Sequence, residues 1–336
     1  MYPYPTPPLQ SEEGLRKSNM KKLIGRDSTL WGLTTVISNL AISVVVGILS
    51  VALPLLPQTV SLFIDSDMGE LLFQIAFSLL VFTIPYIIAA RMSKQKVKSL
   101  IKIKWKKPRL TAPLILVSLG AAMAINLLVS QFVQLLEGYG IDTAAPELDM
   151  PQSLFGAVLY VITLTVIPAV VEEFAFRGII LGSMKKYGTA YAIIASSVLF
   201  GLMHGNIVQI PFATALGMVM AYVAVASDSI LPCIIIHFLN NLAGAAQTVA
   251  QSFSSEQLGN LTVYAFFLVY IVLGLVGFVM LCKRYKDPFA NIKEKGALSV
   301  TESTKAALFS GGFITAIIYF GGSACLLLLT NSMSSL

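Results

Sequence analysis

Glu172, Glu173 and Arg177 stand together in the run VEEFAFRG, at the end of a long apolar stretch of a 336-residue chain. Holding ionised groups at membrane depth is costly, and a chain keeps them there for a pore, a proton path, a binding site or catalysis. Glu173 and Arg177 are four residues apart, so on a helix they share a face and can pair. Glu172 is turned about 100° from Glu173 on the same helix and points elsewhere. One acid can thus be held by the arginine while the other faces a cavity. That division suits a carboxylate acting as general base on a water molecule. The chain has 2 histidines. Both follow in apolar sequence, His204 in LFGLMHG and His237 in HFLNN. Phe200 and His204 share one helical face by their spacing, and so do His237 and Asn241.

The elements that must position these groups are membrane helices. Hydrophobic residues make up 56% of the chain and charged residues 12%, against about 25% charged in a typical soluble domain. The apolar residues come in blocks and do not alternate, which excludes a transmembrane barrel. The expected fold is an all-α polytopic membrane protein, a bundle of about nine transmembrane helices around an intramembrane cavity. The candidate spans lie near 31–56, 70–90, 110–135, 152–184, 188–206, 207–227, 229–250, 260–282 and 307–330. Residues 1–30, rich in proline and polar side chains at their start, read as a disordered cytoplasmic tail and not as a signal peptide. Residues 31–150 read as N-terminal transmembrane helices, 151–250 as the catalytic core and 251–336 as C-terminal transmembrane helices. Cys233, Cys282 and Cys325 are scattered in apolar sequence and read as packing residues.

Charge sets the expected orientation. Segment 91–109 carries nine Lys and Arg and no acid, and further basic residues precede the first span, follow the fourth and follow the eighth. The alternate connections carry Asp65, Asp67, Glu137, Asp142, Glu147, Asp149 and Glu256. The positive-inside rule then places the N-terminus in the cytoplasm and the C-terminus outside, in the cell membrane if the host is bacterial. The basic segment reads as an orientation signal touching anionic lipid, with no nucleic acid as partner. Counted along straight helices from the basic ends, Glu172 lies roughly 20 Å deep, His204 roughly 25 Å and His237 roughly 14 Å. Pro168, one turn before Glu172, is expected to kink its helix or start a new one. A site nearer the cytoplasmic side would admit substrates from the cytoplasm or laterally from the bilayer.

The three motifs EExxxR, FxxxH and HxxxN, in this order on successive spans, resemble the CPBP family, that of the CAAX prenyl endopeptidase and of bacterial abortive-infection and bacteriocin-processing proteins. The resemblance covers about 155–250. It implies a helical bundle around a conical cavity and peptide hydrolysis inside the membrane. On this reading Glu172 is the general base and His204 helps hold the attacking water. His237 and Asn241 are the oxyanion donors, and Glu173, Arg177 and Phe200 support the site. The expected substrate is a membrane-embedded or membrane-associated protein or peptide. No cofactor is required on the favoured scheme. The alternative is one divalent metal, zinc by its ligand types, held by Glu172, His204 and His237. Two other function classes stay open. One is a non-catalytic membrane scaffold, an immunity or signalling partner that binds another membrane protein. The other is a transporter with an ionisable path, for which the expected inverted repeats are not seen.

Overall fold

The computed structural model describes residues 12–52, 66–105, 107–141, 143, 150–285 and 296–334, with single positions at 55, 58 and 62. Every regular element among them is helical. Among the described residues eight helical stretches, Asp67–Met92 being one, are long and apolar enough to cross a membrane, and the protein is an integral, multi-pass membrane protein. In chain order the elements are α1 (Glu12–Ala52), α2 (Asp67–Val81), α3 (Ile84–Met92), the short α4 (Val97–Leu100) and α5 (Pro108–Gly138). They are followed by α6 (Leu154–Tyr187), α7 (Thr189–Leu202), α8 (Gln209–Ser227), α9 (Leu231–Phe253), α10 (Glu256–Arg284), α11 (Val300–Leu308) and α12 (Gly311–Ser334).

Three features differ from the sequence reading. First, residues 12–30, expected in a disordered tail, form the first turns of α1, and residues 1–11 lie outside the described residues. Ile24 and Trp31 are fully buried. Asp27, also buried, accepts from Lys186 Nζ and Tyr187 Oη, each at 2.8 Å. The polar composition of this stretch hid a helix whose inner face docks on the last turn of α6. Second, the span expected at 70–90 is present as Asp67–Met92 but is interrupted at Phe82–Thr83 between α2 and α3, with Pro85 in the first turn of α3 and unable to continue an amide ladder. Third, the span expected at 188–206 is the 14-residue α7, about 21 Å long at 1.5 Å per residue. A hydrocarbon core of about 30 Å is longer than that, so His204 lies on non-helical chain at membrane depth. Such backbone is tolerated where it is buried in protein or lines a wet cavity. Asn206 supports it: its Oδ1 accepts from Val208 N at 2.8 Å and Gln209 N at 3.2 Å, so these amides of the following turn have a partner.

The basic segments share one face of the bundle. Lys102 pairs with Asp228, Lys186 with Asp27, and Lys21 with Glu302. Ile230 N donates to Lys102 O at 2.7 Å. Residues Asp65, Asp142, Glu147 and Asp149, and Lys106, Lys286, Lys293 and Lys295, lie outside the described residues. The core runs through the middle of the bundle and includes Phe176, Ile179, Tyr191, Phe200, Met220 and Ile236. α5 and α10 touch closely where Gly120 faces Gly274; a Cβ on Gly120 would lie 2.8 Å from Gly274 Cα. Close backbone approach of this kind is how helices pack in lipid, where burying apolar surface gives no advantage. Exposed Leu128, Leu268 and Ile318 on α5, α10 and α12 face outward, as lipid-facing residues do.

Candidate active site in the middle of the bundle

α6 places the acids, and its backbone is unusual. Ile162–Val166 and Phe174–Ile180 are π-helical, flanking Ile167–Glu173. Single π turns inside α-helices recur at functional sites. Pro168 has no N–H, so the Leu164 carbonyl loses its ordinary helical donor. Asn241 Nδ2 on α9 donates to that carbonyl at 3.1 Å. As expected of a proline that starts a new helical segment, Pro168 stands in the first turn of Ile167–Glu173, directly after the π-helical turn. It opens an acceptor that a second helix fills, and this fixes α9 against α6 one turn from Glu172.

The pairing predicted from spacing is present. Arg177 Nη1 donates to Glu173 Oε1 at 2.9 Å, both side chains being almost wholly buried. Arg177 Nη2 donates to Gly217 O on α8 at 3.3 Å. The guanidinium lies 4.0 Å over the Phe200 ring, and the ring meets both imidazoles edge-on, at 5.2 Å from His204 and 6.0 Å from His237. Arg177 therefore ties α6, α7 and α8 together. A guanidinium suits this place because its flat face stacks on an aromatic ring while its edge donates.

The two acids have separate work. Glu173 Oε1 also faces His237 Nδ1 at 2.9 Å. Glu172 Oε2 is 3.9 Å from His237 Nε2, beyond hydrogen-bond reach. It is buried and has no hydrogen-bond partner. His204 Nδ1 lies 2.9 Å from Phe200 O. A carbonyl only accepts, so the His204 proton sits on Nδ1 and its Nε2 is left as an acceptor in the neutral ring. His237, donating from Nδ1 to Glu173, is arranged the same way. To donate to an oxyanion, His237 needs a second proton on Nε2.

A cavity of about 270 Å³ is lined by Glu172, Phe200, His204, His237, Asn240 and Asn241, together with Gln209, Phe212, Ala213, Leu216 and Met220. The structure thus brings every residue singled out in the sequence to one place: five line the cavity, and Glu173 and Arg177 stand directly behind it. Unequal depths along straight helices did not prevent this, because α6 is π-helical on both sides of the acids and His204 sits past the end of a short helix. Sequence reasoning missed Gln209, Phe212 and Met220 as cavity residues, and Asn206 as the support for the turn. The Gly205–Asn206 pair was the available signal for that turn, with Gly205 at φ 62°. Among the described residues no group of three or more His, Cys, Asp and Glu stands close enough to hold a metal ion. Glu172, His204 and His237, the residues named for a zinc ion, line one cavity.

Residues 154–243 match the family model described as Type II CAAX prenyl endopeptidase Rce1-like. This chain carries an Rce1-like domain. The match spans all three motifs, with α6, α7, α8 and the first half of α9. Comparison with curated proteins and with solved structures gave no match. The Rce1-like domain supports CAAX-type intramembrane endopeptidase activity at the level of the family.

The Asn241 contact gives a test of its own. Asn241→Leu leaves the Leu164 carbonyl of the Rce1-like domain without its side-chain donor inside the bundle. An unsatisfied buried polar group costs about 1–3 kcal/mol. The expected result is a lower unfolding midpoint in detergent for the purified variant, whether or not a peptide is present. An unchanged midpoint would show that the bond to Leu164 contributes nothing to holding α9.

Proposed function

We propose that this protein is an intramembrane endopeptidase in which Glu172 activates a water molecule to cut a peptide bond of a membrane-embedded or membrane-associated substrate. The observation that carries the reading is Glu172, whose Oε2 is buried without a hydrogen-bond partner, lining one cavity with both histidines. In this scheme water sits between Glu172 and His204 Nε2. It gives its proton to Glu172 and attacks the scissile carbonyl. Glu172 returns that proton to the leaving amine as the C–N bond breaks. Glu173 is a positioning residue, holding Arg177 on one side and His237 on the other. His237, in its doubly protonated form, and the remaining N–H of Asn241 would donate to the oxyanion, the group whose stabilisation gives the largest single term in acyl transfer.

No step is routed through a metal. The scheme needs only Glu172, the two imidazoles and Asn241, and Nδ1 of each imidazole is already bonded, to the Phe200 carbonyl for His204 and to Glu173 for His237. The orientation that fits the basic face has the N-terminus in the cytoplasm and the C-terminus outside, in the cell membrane if the host is bacterial.

The test is cleavage of a quenched fluorescent peptide library by purified protein in liposomes, with and without a chelator. The expected result is cleavage that chelation leaves unchanged. Loss on chelation, with recovery on adding zinc, would overturn the metal-free scheme. A biological phenotype that survives Glu172→Gln would instead support a scaffold or immunity partner.

A further inference from the structure

A second cavity, of about 710 Å³, adjoins the first; Gln209, Phe212, Asn240 and Asn241 line both. Its polar lining adds the amides Asn126 and Gln247 and the hydroxyls of Tyr160 and Thr248, and includes no charged side chain. A volume of this size is that of an ordinary ligand pocket. Asn240 Oδ1 is buried and has no hydrogen-bond partner, although its Nδ2 donates to Asn241 Oδ1 at 3.1 Å. Amide side chains inside a membrane bundle are costly to leave bare. A primary amide offers one acceptor and N–H donors, which complement the N–H and C=O of a peptide unit. An uncharged lining would leave an anionic head group or an ionised side chain without a partner.

The position of this cavity is as informative as its chemistry. Gln247 lies near the C-terminal end of α9, and Asn126 in the C-terminal half of α5. Both ends lead to the connections on the face opposite the lysine-rich segments. On the lysine-rich face the Rce1-like domain is covered. Ile101 packs on Gly178, where a Cβ would collide with it. The small cavity on that face, about 200 Å³, reaches Arg177 but is lined by neither Glu172 nor a histidine.

We infer that the amide-lined cavity is a subsite for an extended, uncharged stretch of peptide, held through its backbone and admitted from the face opposite the lysine-rich segments. This rests on the peptidase reading of the adjoining site. It reverses the cytoplasmic access expected from the sequence, because the break after α7 opens the site toward the other face.

The test uses full-length protein in liposomes, with Cys282 and Cys325 changed to serine and Glu172→Gln added so that binding is read without hydrolysis. Thr248 lines the cavity, and Thr248→Cys reports on it through a membrane-impermeant maleimide. Gly244→Cys is a second reporter, since a Cβ there meets nothing within 4 Å. The probe is a library of unstructured peptides without charged residues. Labelling is expected only from the face opposite the lysine-rich segments. Peptide at about ten times its Kd should slow it about tenfold, the mass-action result for one protected site. Gln209→Leu with Gln247→Leu should remove that protection and, in the Glu172 protein, raise KM more than it lowers kcat. Labelling from the lysine-rich face, no slowing by peptide, or equal slowing in the Gln209→Leu/Gln247→Leu protein would overturn the proposal. Protection in a protein that cleaves nothing would remove the peptidase reading and leave the subsite standing.

Discussion

Glu172→Gln is expected to lower kcat by about 10²–10⁴-fold, the usual contribution of a positioned general base, with KM and the unfolding midpoint nearly unchanged. The reason lies in what Glu172 does not touch. Its Oε2 has no hydrogen-bond partner, and His237 Nε2 is 3.9 Å away, beyond hydrogen-bond reach. Glutamine has the same shape, so the substitution removes a proton acceptor and breaks no bond. Steady-state cleavage of the peptide library in liposomes, read beside thermal unfolding in detergent, checks both halves. Wild-type turnover in the variant would remove Glu172 as the base. Loss of folding together with loss of activity would make it a structural acid.

Arg177→Met should act in the opposite way, through the fold. It strips Glu173 of its cation while leaving the carboxylate at zero exposure against His237. Removing one partner of a buried pair typically costs about 3–5 kcal/mol, because the other charge is left uncompensated. The contact with Gly217 and the stacking on Phe200 are lost as well. Changing both partners, Glu173→Gln with Arg177→Met, should recover a good part of that loss, since no buried charge is then stranded. A double-mutant cycle on chemical unfolding measures the coupling. Strictly additive losses would show that Arg177 acts by packing alone and that its ion pair with Glu173 contributes nothing.

Read together, the two variants separate groups that adjacency in sequence leaves confounded. Glu172 and Glu173 are neighbours on one helix, yet one lines the cavity and the other joins four helices through Arg177 and His237. Substitutions at the first should be felt in kcat, and substitutions at the second in stability.

Much of this protein was legible before any coordinates. Block hydrophobicity determined the class and nearly all the spans, because lipid demands long apolar helices whatever their packing. Spacing determined the Glu173–Arg177 pair, because residues four apart on a helix are neighbours without help from the rest of the fold. The three motifs also marked which residues would meet. Tertiary structure decided everything that depends on how one helix sits against another. That His237 bonds Glu173 and not Glu172, that Asn241 fills the carbonyl Pro168 leaves open, and that Arg177 stacks on Phe200 are matters of crossing angle and register. A one-dimensional pattern of apolar residues does not encode these. The π-helical turns flanking Glu172, the docking of residues 12–30 and the short α7 were hidden for the same reason: each is stabilised by contacts with residues far away in the chain. The position of His204 followed from the last of them: α7 is shorter than a hydrocarbon core of about 30 Å, so His204 stands past its end, on a turn that lines the cavity.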